Sequence, residues 1–146
     1  MPQLLVVHHT PSPNLQALLE AVREGVALVE DVDLVVRPAL SAGAADLLEA
    51  DGILLGTPAN IGYMSGALKH FFDTVYYPCL DATVGLPYGV YLHGGDDTAG
   101  ALAAVQKITG ALRWKQVAAP LSLTGPPSAA DLEACRELAA TVAVSL

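Results

Sequence analysis

Three stretches hold the residues most able to do chemistry: His9 to Asn14 (HTPSPN), Thr57 to Tyr63 (TPANIGY) and His93 to Asp97 (HGGDD). In the first, Thr10 and Ser12 place hydroxyls just ahead of Leu15, Leu18, Leu19, Val22 and Val26, which recur at helical spacing. A helix opening there presents free N–H groups and the positive end of its dipole, which suits an anion such as a phosphate. Ser12-Pro13 also reads as an N-cap with proline at the first helical position. Pro13 withdraws one N–H, while Asn14, Leu15 and Gln16 keep theirs. The middle stretch combines backbone donors and acceptors with Pro58, Ala59, Asn60, Ile61 and Tyr63. Such a rim suits a planar heteroaromatic ligand, the backbone reading its edge and apolar side chains covering its face. Gly62 permits close approach or a positive φ. In the third stretch Gly94 and Gly95 can close the other side of the ring, and His93 either donates to the ligand or ends a strand. Asp96 and Asp97 read most simply as helix caps, with a carboxylate acid–base pair as the other reading.

Other chemistries lack their residues. The chain has no G-x-S-x-G nucleophile elbow, no G-x-G-x-x-G after the first strand and no G-x-x-x-x-G-K-[ST]. Cys79 and Cys135 are far apart and lie in no site stretch, so they read as reduced thiols of a cytoplasmic protein. His8, His9, His70 and His93 form no metal-binding motif. A net charge of −8 with only seven Lys and Arg speaks against nucleic acid as a partner. Hydrophobic residues make up 53% of the chain, yet the apolar runs fall far short of the ~20 residues that span a bilayer. The apolar content therefore predicts a packed core and no membrane partner, and the N-terminus shows no secretory signal.

The elements that must position these stretches follow one repeated strand–helix pattern, read as a single domain over residues 1–146. Strands are predicted at Gln3–His8, Val32–Arg37, Ile53–Gly56, Tyr88–His93 and Gln116–Leu123, with Pro120 marking an edge or a bend. Helices are predicted after Ser12, over Ser41–Ala50 with Leu47 and Leu48 inward, over Ala67–Tyr76 ended by Pro78, around Leu102–Leu112, and after a capping box at Ser128–Asp131. Gly25 is expected to weaken the end of the first helix. Non-alternating apolar strands are buried on both faces, which calls for a parallel sheet with helices on either side. The fold class is α/β, a three-layer sandwich with a five-stranded parallel sheet in the order 2-1-3-4-5. In that order the stretches after strands one and three flank the point where the strand order reverses, and the third lies beside it.

The segment Gly56-Thr57-Pro58-Ala59-Asn60-Ile61-Gly62-Tyr63-Met64-Ser65-Gly66-Ala67-Leu68-Lys69-His70-Phe71-Phe72-Asp73 resembles the signature of flavodoxin-like reductases, the NADPH-dependent FMN reductases and WrbA-type quinone reductases. The resemblance implies a flavodoxin-like fold and noncovalent FMN. By position, Thr10, Ser12, Asn14 and Leu15 would surround the phosphate. Pro58, Ala59, Asn60, Ile61, Gly62 and Tyr63 would hold the ring, and His93, Gly94 and Gly95 would close it. It implies an oxidoreductase in which NAD(P)H reduces the flavin and a quinone or another small acceptor takes the electrons, with no catalytic side chain required. The partner is then a small-molecule acceptor or a redox protein. The alternatives are a flavodoxin-type electron carrier and a flavodoxin-like domain without FMN. Pro13 departs from the family's usual glycine and Leu15 from a frequent hydroxyl. The aromatic residues Phe71, Phe72, Tyr76 and Tyr77 suit core packing, with a homo-oligomer surface as a further use.

Overall fold

The computed structural model describes residues 1–146. β1 (Gln3–His8) lies at the centre of a parallel sheet, between β2 (Asp33–Pro38) and β3 (Gly52–Asn60). β5 (Pro87–Gly94) pairs with β3, and its outer edge carries β6 (Lys115–Gln116) and β7 (Leu121–Thr124). The main strands thus follow the expected order, with the fifth strand interrupted between Gln116 and Leu121. Val117 N still donates to the Tyr88 carbonyl at 3.0 Å, and residues 118–120 then bulge away from β5 before pairing resumes at Leu121; Pro120, with no N–H to give to the ladder, lies in that bulge.

Alternation along the strands divides the core. Leu5, Val7, Ile53, Leu55, Val90 and Leu92 face α2 (Ala44–Glu49), α3 (Gly66–Cys79) and α4 (Ala99–Ala111). Leu4, Val6, Leu54 and Tyr91 face α1 (Pro13–Ala27) and α5 (Ala129–Val144). Both sheet faces are therefore dry, as continuous apolar strands require. Ser12 caps α1 by accepting from Leu15 N at 3.2 Å, and Ser128 caps α5 through a capping box with Asp131.

Several expectations are corrected. The middle stretch, Thr57 to Tyr63, expected as a loop between strand and helix, is built into a hairpin. β3 continues to Asn60 and pairs with β4 (Tyr63–Met64), because extended backbone there finds an antiparallel partner two residues later. α3 does not stop at Pro78 but runs to Cys79. A proline in the last turn forfeits only one hydrogen bond. α2 is shorter than predicted and leaves Leu48 52% exposed rather than inward. Gly25 does not weaken α1 so much as admit α5, since a Cβ there would lie 2.2 Å from the Arg136 carbonyl oxygen.

Candidate functional site

The carboxyl ends of β1, β3 and β5 lie side by side, with His8 in register with Gly56 and Pro58 with His93. The chain leaves β1 toward β2 on one side, and leaves β3 toward β5 on the other. Between these departures lies a cleft of about 260 Å³ lined by Pro11, Ser12, Asn14, Leu15, Pro58, Ala59, Asn60, His93, Gly94 and Gly95. It joins all three stretches singled out in the sequence, at the crevice where open α/β sheets take ligands. A larger groove of about 410 Å³ lies between α3 and α4, away from the strand ends; Tyr63 lines it with Phe72, Tyr76 and Lys107.

Of the predicted site residues, Ser12, Asn14, Leu15, Pro58, Ala59, Asn60, His93, Gly94 and Gly95 come together in the cleft, and Pro11 joins them. Thr10, Ile61, Gly62 and Tyr63 do not line it. Thr10 turns to His8, its Oγ1 2.7 Å from Nδ1. Burial holds His8 below the ordinary histidine value, helped by the nearby Arg23 and His9 charges. Ile61 and Gly62 form the two-residue tip of the β3–β4 hairpin at φ +51° and +71°, the positive pair that a type I′ turn demands. Ile61 is fully exposed.

The hairpin is set by residues whose roles the sequence did not reveal. Thr57 Oγ1 accepts from Ser65 N at 3.0 Å and donates to the Pro58 carbonyl at 2.8 Å, and both side chains are buried. Ser65 Oγ in turn accepts from Leu68 N at 3.2 Å, capping α3. A single polar relay thus fixes the return of the hairpin and the start of the helix. The tip rests on α4 where Gly100 leaves room, since a Cβ there would lie 2.1 Å from the Gly62 carbonyl oxygen. Paired small hydroxyl residues, Thr57 and Ser65, either side of the Ile61-Gly62 turn are the available signal.

At the α1 end, two amides expected to be free are engaged. Leu15 N donates to Ser12 Oγ, and Gln16 N donates to the Ser12 carbonyl at 3.0 Å. Pro13 has none, so Asn14 keeps the one unpaired amide among these first-turn positions. At the other end, His93 Nε2 donates to the Gly125 carbonyl at 2.7 Å. The Gly125-Pro126-Pro127 turn therefore braces the site; Gly125 takes φ +70°. Asp97 accepts from Ala99 N at 2.9 Å at the start of α4, consistent with capping. No helix is long and apolar enough to cross a membrane.

The fold and these loops have known counterparts. A model of the NADPH-dependent FMN reductase family matches residues 14–123. A flavodoxin of Aquifex aeolicus is 35% identical over 75 residues, covering 51% of this chain and 40% of that protein. An NAD(P)H dehydrogenase (quinone) of Syntrophus aciditrophicus is 32% identical over 95 residues, covering 49% of this chain and 47% of that protein. The matches span less than half the length of these curated relatives. Among solved structures, a flavodoxin from the domain Archaea superposes with a TM-score of 0.84 at 20% identity, covering 98% of this chain and 97% of that one. A WrbA-like flavodoxin protein from Agrobacterium tumefaciens gives 0.79 at 21%, covering 99% and 97%. At such identities the likeness is one of fold, and the family match is what assigns the chain: it belongs to the NADPH-dependent FMN reductase family of flavodoxin-like proteins.

Proposed function

We propose that the chain binds FMN noncovalently in the cleft between the ends of β1, β3 and β5 and acts as an NAD(P)H-dependent oxidoreductase toward a quinone or another small acceptor. The observation that carries this reading is the convergence of three separate stretches on one cleft at the reversal of strand order. The donor set suits the cofactor. Ser12 and Asn14 offer a hydroxyl and an amide to the phosphate end, and the extended backbone of residues 58–60 offers alternating donors and acceptors to a ring edge. Gly95 borders open space, where a Cβ would meet nothing within 4 Å. When bound, FMN supplies the redox chemistry, taking hydride from a nicotinamide and passing electrons on. The protein binds the cofactor, orients it and limits its contact with water. Ile61 and Tyr63, at the hairpin, are assigned to the outer edge of the ring, and Thr10 to the support of the phosphate loop.

The likeness to a flavodoxin over half the chain favours a second reading, an electron carrier serving a redox protein. The acidic balance suits docking to a basic partner. Adding FMN to the purified protein and following fluorescence quenching tests the shared premise. Binding well below ~10 μM is expected, and none at that concentration would leave a domain without FMN. Anaerobic bleaching of the bound flavin by NADPH or NADH then supports the reductase, and no bleaching by either supports the carrier.

A further inference from the structure

The groove between α3 and α4, about 410 Å³, has the size of a small-molecule site and contributes no residue to the cleft. One face of α3 supplies Lys69, Phe72, Asp73 and Tyr76, at helical spacings of three, four and seven. Lys107 and Ile108 come from α4 on the other side. The floor is apolar, since Phe72 is buried and Tyr76 and Ile108 pack partly buried against the core. Tyr77 stands at the rim, 83% exposed, its ring edge to face with Tyr76 at 5.1 Å. Tyr88 is the one tyrosine whose hydroxyl is hydrogen-bonded within the protein, so those of Tyr63, Tyr76 and Tyr77 are open to a ligand.

The charge of the groove runs against that of the chain. Two of the three lysines face it, on a protein of net charge −8. Asp73 is the one acidic residue on either helix, and Lys69 engages it in an ion pair. Lys69 is the only lysine so paired. Lys107 is left as an uncompensated positive charge beside an aromatic wall. We propose that this groove is a second binding site, for a small aromatic anion: a planar ring lies against the tyrosines over the Phe72–Ile108 floor, and its acidic group meets Lys107. Either half of the contact is weak alone, because an exposed ion pair contributes little and a half-open floor covers one face of a ring. Joined in one molecule they select for ring and charge together. Tyr63 closes one end of the groove, and its strand partner Asn60 lines the cleft on the other side of the same hairpin. The two sites therefore share a wall and no residue, and the groove is expected to bind whether or not the cleft holds FMN.

Naphthalene-2-sulfonate is the probe, with 2-naphthalenemethanol as its uncharged counterpart and inorganic sulfate as its ringless one. The chain has three isoleucines: Ile53 buried in the sheet, Ile61 at the hairpin tip and Ile108 in the groove. Methyl NMR of isoleucine-labelled protein thus locates the probe. The sulfonate is expected to shift Ile108 and leave Ile53 in place, with a Kd of about 0.1–1 mM. Sulfate should not shift it at ~5 mM, and the alcohol should bind about fivefold more weakly than the sulfonate. Lys107→Gln alters an exposed side chain and should weaken the sulfonate about fivefold while leaving the alcohol as before. Tyr77→Ser should weaken both, and excess FMN should displace neither. Equal binding of sulfonate and alcohol, or sulfonate affinity unchanged in Lys107→Gln, overturns the inference. Displacement of the probe by FMN also overturns it, by moving the probe to the cleft, and leaves the FMN reading standing. Absence of an Ile108 shift at ~5 mM sulfonate overturns it as well, and sedimentation of that sample as a dimer would give the groove to a second copy of the chain.

Discussion

At the scale of the residue, Gly56 and Tyr91 explain each other. A Cβ on Gly56 would lie 2.1 Å from Tyr91 Cζ and 2.2 Å from its hydroxyl oxygen, so the ring crosses the strand where the glycine leaves space. Tyr91 is buried, and its hydroxyl has no hydrogen-bond partner. The glycine that opens the Gly-Thr-Pro motif is therefore a packing requirement one layer beneath the cleft. Gly56→Ala is expected to destabilise the fold by about 1–3 kcal/mol through overpacking. The same change should cost less in a Tyr91→Leu background. Urea unfolding of both single variants and the double variant measures that coupling, and strictly additive costs would show that the ring does not set the need for glycine.

At the scale of the element, the β3–β4 hairpin is the part that the sequence under-described. Its Thr57-Pro58-Ala59-Asn60 run has the composition of a loop, and the extended pairing comes from the buried Thr57–Ser65 relay, a contact between residues eight apart. Ile61 at φ +51° is a β-branched residue in the left-handed region, with no buried contact in return. Asparagine suits that position far better. Ile61→Asn is thus expected to raise stability by about 1 kcal/mol and to weaken flavin binding, since the apolar cover at the tip is lost. Thermal unfolding without flavin and a flavin titration separate the two effects; unchanged flavin affinity would remove Ile61 from the ring site. By contrast, β1, α1 and α5 were legible outright, because apolar runs, helical spacing and the Ser12 and Ser128 caps act locally. The first-turn amides of α1 were misjudged for a related reason. The serine that announces the helix also consumes the donors expected to serve a ligand.

At the scale of the whole molecule, the strand order and both sheet faces followed from the sequence, while the bracing of His93 by Gly125 did not, because it joins turns 32 residues apart. The two core layers also hold one thiol each, Cys79 on the α2/α3/α4 side and Cys135 on the other. Burial raises both, Cys135 up to about 12. Unfolded thiols ionise near 8.5, so this stabilisation is complete below that pH and is lost as pH rises toward the folded value. Cys135 alone should cost about 2 kcal/mol of stability at pH 10 relative to pH 7. Urea midpoints should fall accordingly, and less so in Cys135→Ala. The interrupted fifth strand has a consequence for the fate of so apolar a chain at high concentration. Residues 118–120 leave the sheet, so its outer border offers two short rungs rather than one long unpaired row. A border broken in this way gives a second sheet little to zip onto, and Pro120 thereby guards the chain against stacking edge to edge into fibres.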